Sequence, residues 1–150
     1  MNQERFSIHD KLFIIYNLTM KLEKEKLAES QFNDLSINDI HIIHIIYLLN
    51  DATISKISKL TTVSKSALTG NIDKLEKLGY IKRVPSKKDR RVTNITFTSK
   101  GKLLSRLHNK DHLQFTNSLL ENCTNLEKDK LNKTLDQLIE RLVNKTADKI

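Results

Sequence analysis

Residues 53–102 read TISKISKLTTVSKSALTGNIDKLEKLGYIKRVPSKKDRRVTNITFTSKGK, and the division of this run into elements decides the fold. Thr53 is a helix-capping residue, and the pattern predicts a first helix over 54–60. Thr61-Thr62-Val63 turns the chain, Ser64 caps a second helix over 65–78, and Gly79 ends it. In that second helix Leu68, Ile72, Leu75 and Leu78 share one stripe by their spacing of four, three and three. Ser66, Thr69, Gly70, Asp73 and Lys77 fall on the other side, the polar face that a reading helix turns to DNA. Residues 80–84 and 92–97 then read as two strands. Pro85-Ser86-Lys87-Lys88-Asp89-Arg90-Arg91 joins them as a basic loop. Two short helices with a tight turn, followed by a basic hairpin, make a winged helix-turn-helix.

Charge points the same way. Residues 53–102 hold thirteen Lys or Arg against three Asp or Glu, a net +10, while the whole chain is +8, so the other hundred residues total −2. Basicity gathered on one motif is the electrostatic footprint of a nucleic-acid reader. Taken alone, the same charge also suits a solvated Lys-rich surface.

Three runs carry a resemblance to a known family: Leu75-Glu76-Lys77-Leu78-Gly79-Tyr80-Ile81-Lys82-Arg83, then Asp89-Arg90-Arg91, then Thr98-Ser99-Lys100-Gly101. They resemble, in order, the LExxGxIxR, DxR and LTxxG patterns of the multiple-antibiotic-resistance-regulator (MarR) family. Phe97 stands where that family usually has Leu. Within the family the chain is most similar to the fatty-acid-synthesis repressors of streptococci and relatives. Ser36-Ile37-Asn38-Asp39-Ile40-His41 before the motif, and Arg106-Leu107-His108 with His112 after it, carry that closer likeness.

A length of 150 residues gives one domain as the expectation, with room for a sizeable core. One Pro and three Gly leave little punctuation for a β-rich fold. A single Cys allows no disulfide framework and fits a reducing cytoplasm. The chain has no apolar run long enough for a membrane span, and MNQERFSIHD lacks the form of a signal peptide. A cytoplasmic protein is the resulting expectation.

Outside the reading segment the chain is helical by pattern. Ser7-Ile8-His9-Asp10 has the form of a capping box, opening a helix to about residue 29. Ile8, Leu12, Ile15, Leu18 or Thr19, and Leu22 repeat along it, and Phe13, Ile14 and Tyr16 widen the stripe beyond a single contact. Asn33 and Asp34 form a turn, with Phe32 and Leu35 expected inward. Ser36-Ile37-Asn38-Asp39 opens a second helix, over 37–49. Ile40, Ile42, Ile43, Ile45, Ile46, Leu48 and Leu49 make it apolar nearly all round, so it is expected to be the buried central helix. Thr98 caps a long helix over about 99–120, with Leu103, Leu104, Leu107, Leu113 and Phe115 on a partial stripe. Asn122-Cys123 breaks it. Thr124-Asn125-Leu126-Glu127 opens a last helix to about 145, striped by Leu131, Leu135, Leu138, Leu142 and Val143.

The expected organisation is one domain over 1–150, mostly α with a small β-hairpin wing. A DNA-binding winged helix lies at about 36–98, between dimerisation helices at about 7–30 and 99–146. The resemblance implies a two-fold homodimer joined by those terminal helices. Such symmetry presents two reading helices to half-sites one helical turn apart.

The candidate DNA contacts on the reading helix are Ser64, Lys65, Ser66, Thr69 and Gly70. The first turns of such a helix reach base edges, and Gly70 leaves room for a backbone or phosphate to come close. Asp73 faces the same way and would repel phosphate; a base contact to cytosine or a salt bridge to a nearby Lys would account for it. On the wing the candidates are Lys87, Lys88, Arg90 and Arg91. The resemblance implies that Arg91 enters the minor groove and that Asp89 shapes the wing; a narrow A·T-rich groove attracts such an Arg.

His41 and His44 are three apart and His108 and His112 four apart, so each pair shares a helix face. They are candidates for a metal or effector pocket, since Zn²⁺ accepts His ligands. Zinc-uptake regulators of the same family place histidines where His41, His108 and His112 stand, and its fatty-acid repressors carry similar ones. Without metal they are structural or pocket-lining. Some family members sense peroxide through a Cys near the first helix, but Cys123 lies late, at a helix junction, and reads as structural. There is no phosphate loop, nucleophile elbow or HExxH, so no catalytic residue and no enzyme is expected.

The expected function is a sequence-specific repressor on a pseudo-palindromic operator. The resemblance implies control of fatty-acid synthesis genes, with a long-chain acyl group on acyl carrier protein as corepressor. The alternatives are a zinc-responsive repressor and, in another class, a basic helical adaptor binding membrane or protein.

Overall fold

The computed structural model describes residues 6–86 and 89–147. The elements run α1 (Ile8–Glu29), α2 (Ile37–Leu48), α3 (Ile54–Leu60), α4 (Lys65–Lys77), β1 (Ile81–Pro85), β2 (Thr93–Phe97), α5 (Ser99–Leu119) and α6 (Asn125–Ala147). Contacts divide the chain into two compact units, Met1–His41 and Ile42–Ile150, with the boundary inside α2. Among the described residues no helix is long and apolar enough to cross a membrane.

In the first unit α1 begins where its cap dictates. Ser7 Oγ accepts from the Asp10 backbone, and the Asp10 carboxylate accepts from the Ser7 N–H and hydroxyl. Two otherwise unpaired amides are thereby satisfied. The Ser7 hydrogen bonds hold the Asp10 carboxyl below its ordinary pKa. No residue of α1 is buried, and Ile8, Phe13, Ile15 and Tyr16 are each at least 60% exposed. Among the described residues its wide apolar stripe is largely exposed. The loop after α1 folds Leu35 into the interior and leaves Phe32 half-buried. Asp39 repeats the box at the start of α2: fully buried, it accepts from Ser36 N at 2.8 Å and from Ser36 Oγ at 2.7 Å. A carboxylate is tolerated there because those donors and the positive end of the helix offset its desolvation.

In the second unit Ile42, Ile43, Ile45 and Ile46 of α2 are buried, as the apolar run predicts. The central-helix expectation needs one correction at its end: Leu48 is 60% exposed, and Tyr47 beside it is 55% exposed. Thr53 and Ser64 cap α3 and α4 as read, accepting from Lys56 N and Ala67 N. Leu68, Ile72 and Leu75 of α4 are wholly buried. At about 1.5–3 kcal/mol per buried side chain this stripe holds the helix in place. Gly79, at φ +77°, takes the left-handed turn that ends α4.

The hairpin pairs β1 with β2 antiparallel, with Ile81 opposite Phe97 and Pro85 opposite Thr93. Both strands sit slightly later than the sequence predicts. Tyr80 is buried ahead of β1, and Val92, 38% exposed, precedes β2. The far side of β2 is tied to the chain before α3 through Ile95 N–H, which donates to Ala52 O at 2.8 Å. Buried Ala52, Ile81 and Ile95 complete this core.

The junction of β2 and α5 is tight. Thr98 caps α5 by accepting from Gly101 N, and its hydroxyl lies 2.6 Å from Gly79 O and 3.2 Å from Tyr80 O. Thr98 N–H also donates to Tyr80 O. Lys100 Nζ donates to Leu78 O at 3.0 Å and sits 3.9 Å from the centre of the Tyr80 ring. A cation on the last carbonyls of α4 complements that helix's negative end. A Cβ on Gly101 would lie 1.9 Å from Tyr80 O, so only glycine fits. The Thr124–Glu127 box opens α6 as predicted.

Candidate nucleic-acid interface

α4 buries one stripe and leaves the opposite face in solvent. Ser64, Lys65, Ser66, Thr69 and Gly70 are all exposed at its amino-terminal end. Ser64 Oγ is engaged in the cap and lies 3.3 Å from Ser66 Oγ. The Thr69 hydroxyl donates to Lys65 O at 3.1 Å, which leaves its oxygen to accept from a donor outside the helix. Nothing among the described residues lies within 4 Å of a Cβ built on Gly70, so none of them requires a glycine here.

Asp73 finds its partner on the hairpin. Arg83 Nη2 on β1 donates to Asp73 Oδ1 at 2.6 Å, its Nη1 donates to Glu76 Oε2, and its backbone N–H donates to Glu76 Oε1 at 2.9 Å. Hydrogen bonding to Asp73 first, and to Glu76 with it, raises the guanidinium pKa further. A salt bridge to a nearby Lys is therefore replaced by one to an Arg ten residues on. Sequence reasoning missed it because Glu76 and Arg83 are both in the recognised motif, yet the motif says nothing of their pairing. The available signal was opposite charge across a glycine-ended helix.

At the wing, Asp89 organises the tip. It accepts from Arg91 N at 3.0 Å, from Arg91 Nε at 3.2 Å and from Arg91 Nη2 at 3.1 Å. Its carbonyl accepts from Val92 N, and Ser86 N donates to Val92 O across the loop. The Arg91 side chain, 91% exposed, holds the Asp89 carboxyl below its ordinary pKa. Arg90 is exposed beside it. Lys87 and Lys88 lie outside the described residues. All three acidic groups of residues 53–102 are thus hydrogen-bonded to an arginine. Cation density on the segment is not opposed by bare carboxylate.

The four candidate histidines fall in both units. His41 belongs to the first unit, where its Nε2 lies 2.8 Å from Glu23 Oε2. In the second unit the His108 and His112 ring centres are 4.1 Å apart, and His44 lies 5.4 Å and 5.8 Å from them. His44 Nδ1 is 3.0 Å from Asn109 Oδ1, which calls for the proton on Nδ1. These rings meet by faces and edges. Among the described residues no three His, Cys, Asp or Glu side chains are placed to hold one metal ion. Cys123 is half-buried and not in a disulfide.

Comparison with known proteins agrees with this geometry. A family profile described as "MarR family" matches residues 35–93, which hold α2 to the wing. The chain is 32% identical over 82 residues to the HTH-type transcriptional regulator PecS of Dickeya dadantii, and likewise to the HTH-type transcriptional repressor YetL of Bacillus subtilis. Those matches take in 55% of this chain and 49% of each relative, so the chain spans about half the length of the curated relatives it matches. The crystal structure of Streptococcus pneumoniae FabT in complex with DNA superposes with a TM-score of 0.77 at 34% identity, covering 91% of this chain and 96% of that one.

Proposed function

We propose, since the chain belongs to the MarR family, that it is a dimeric transcriptional repressor binding double-stranded DNA at a pseudo-palindromic operator. The observation that carries this is the exposed polar face of α4 beside a basic wing, in a segment whose carboxylates are all held by arginines. The DNA complex of the similar streptococcal protein supports it. Ser66, Thr69 and Lys65 would meet base edges and phosphates in the major groove, Gly70 would admit the backbone closely, and Arg90 and Arg91 would take the minor groove. Lys87 and Lys88 would add phosphate contacts.

Dimerisation is supported by uncovered apolar surface. Leu126, Ile139 and Leu142 of α6, Leu113 and Leu119 of α5, and much of α1 are more than half exposed. Stripes of that extent mark an interface. A two-fold partner would cover them and set the spacing of the reading helices.

The sequence resemblance extends the reading to fatty-acid synthesis genes, with acyl carrier protein bearing a long-chain acyl group as corepressor. An open cleft of about 290 Å³ in the first unit is lined by Leu27, Ala28, Leu35 and Ile37 with Lys24 and Asn33, and is the surface an acyl chain would have to widen to enter. Zinc is the competing effector. The gathering of His44, His108 and His112 favours it, although the rings would have to turn to converge on an ion.

The test is operator affinity of the metal-free protein on its own promoter DNA, with excess competitor duplex. Long-chain acyl carrier protein is titrated first, then Zn²⁺. Under the corepressor reading, binding tightens with acyl length by up to about 0.8 kcal/mol per added CH₂ until the cavity is full. A response to Zn²⁺ alone would sink that reading. Absence of any footprint under competitor would favour the basic adaptor over a repressor.

A further inference from the structure

Arg83 stands apart from the basic residues that were expected to touch DNA. It lies on β1, half-buried, with a side-chain exposure of 29%. Its guanidinium and backbone N–H are spent on Asp73 and Glu76, the two acidic residues of α4. Asp73 is 62% exposed on the same side of the helix as Ser66, Thr69 and Gly70. Unpaired, that carboxylate would meet phosphate with like charge. The planar fork of an arginine can hold two carboxylates at once, which a lysine ammonium cannot do in the same geometry.

We infer that Arg83 is a positioning residue for DNA reading: it ties the first strand of the wing to the reading helix and hydrogen-bonds both carboxylates that helix carries, halving their net negative charge. The inference rests on the DNA-binding function proposed above. It assigns Arg83 no contact to DNA. Its work is to let helix and wing approach the duplex as one body whose acidic groups are already satisfied.

The experiment compares wild type, R83Q and the triple variant R83Q/D73N/E76Q. Each is assayed for operator affinity over a salt titration, with helical content and melting checked by circular dichroism. R83Q is expected to bind about ten- to hundredfold more weakly with a shallower salt slope, since it bares two carboxylates. The triple variant is expected to recover at least about tenfold of that loss, with a slope no shallower than wild type. A purely structural role would not move the slope. Equal binding by R83Q and wild type overturns the inference. So does a triple variant as weak as R83Q with both slopes reduced, which would make Arg83 a direct phosphate contact. Should R83Q not fold, R83K carries the test. It keeps the charge without the fork, so binding about fivefold weaker or worse is expected, and wild-type binding overturns the inference. A wild-type chain that binds no operator overturns the DNA-reading function and this inference together; wild-type binding with R83Q unimpaired, or with the triple variant unrecovered and both slopes reduced, overturns this inference alone.

Discussion

The reading segment and the terminal helices solve opposite problems. Between residues 53 and 102 most large apolar residues are spent inside: Ile57, Leu68, Ile72, Leu75, Ile81 and Ile95 are all at most 3% exposed, while Leu60 and Val92 stay at the surface. Its polar surface is strongly basic, and its few acids are tied down. In α1 and α6 the apolar residues are spent outside, and α1 buries none of its side chains. Charge on those helices is mixed. A segment with a finished interior and a one-signed surface is built to meet a polyanion. Helices with an uncovered apolar stripe are built to meet apolar surface. On the proposed reading, the contrast separates recognition from assembly along the chain.

The most severe way to break this comparison is to charge the assembly surface. Leu135→Glu with Leu142→Glu on α6, where both side chains are exposed, should leave a folded monomer by sedimentation. Operator affinity should fall by on the order of a thousandfold, because a single reading helix loses the tethered second half-site. A variant that stays dimeric and tight would show that α6 is not the assembly surface.

Next comes the join between the two regions. Gly101→Ala drives a methyl into Tyr80 O and should cost about 3 kcal/mol of stability, read as a lower denaturant midpoint. A midpoint unchanged within error would mean the junction has slack that its hydrogen bonds do not indicate.

Within the reading segment, Arg91→Ala should weaken operator binding by about 1–3 kcal/mol and flatten its salt dependence. The protein should melt as wild type does, since Arg91 is almost fully exposed. Identical titrations across salt would remove the wing from recognition.

The smallest effect sharpens the comparison most. Gly70→Ala points into open space and should stabilise α4 by up to about 1 kcal/mol. Operator binding should weaken at the same time, because a Cβ then occupies the place of close approach. Stability and affinity moving in opposite directions would identify a glycine kept for DNA; affinity rising with stability would mark it as incidental.

Much of this architecture was legible from local chemistry. Ser7, Thr53, Ser64, Thr98 and the Ser36 and Thr124 boxes mark helix starts where they occur, because a cap needs only neighbours three residues away. The α4 stripe was legible for the same reason, since period alone fixes its face. The partner of Asp73 was not, because Arg83 reaches it only after Gly79 and β1 have turned the chain back. Gly101 read as part of a motif, but its reason is a carbonyl twenty-one positions earlier, at Tyr80. The histidines show the limit most plainly. Helical spacing paired His41 with His44, yet the structure gives His41 to Glu23 and His44 to the α5 pair. Spacing tells which residues share a helix face and is silent on what that face meets.

The hydrogen bonds from Thr98 and Lys100 to residues 78–80 have a mechanical meaning. They clamp the end of α4 to the start of α5, leaving no hinge between them. α5 has 21 residues, a lever about 30 Å long at 1.5 Å per residue. A tilt of about 6° over that length displaces its end by about 3 Å, close to one base-pair step. An effector acting anywhere along this arm would turn the reading helix with it, and two such helices in a pair would drift out of phase with their half-sites. On the proposed dimeric reading, release from DNA would then need only a tilt of this arm by a few degrees.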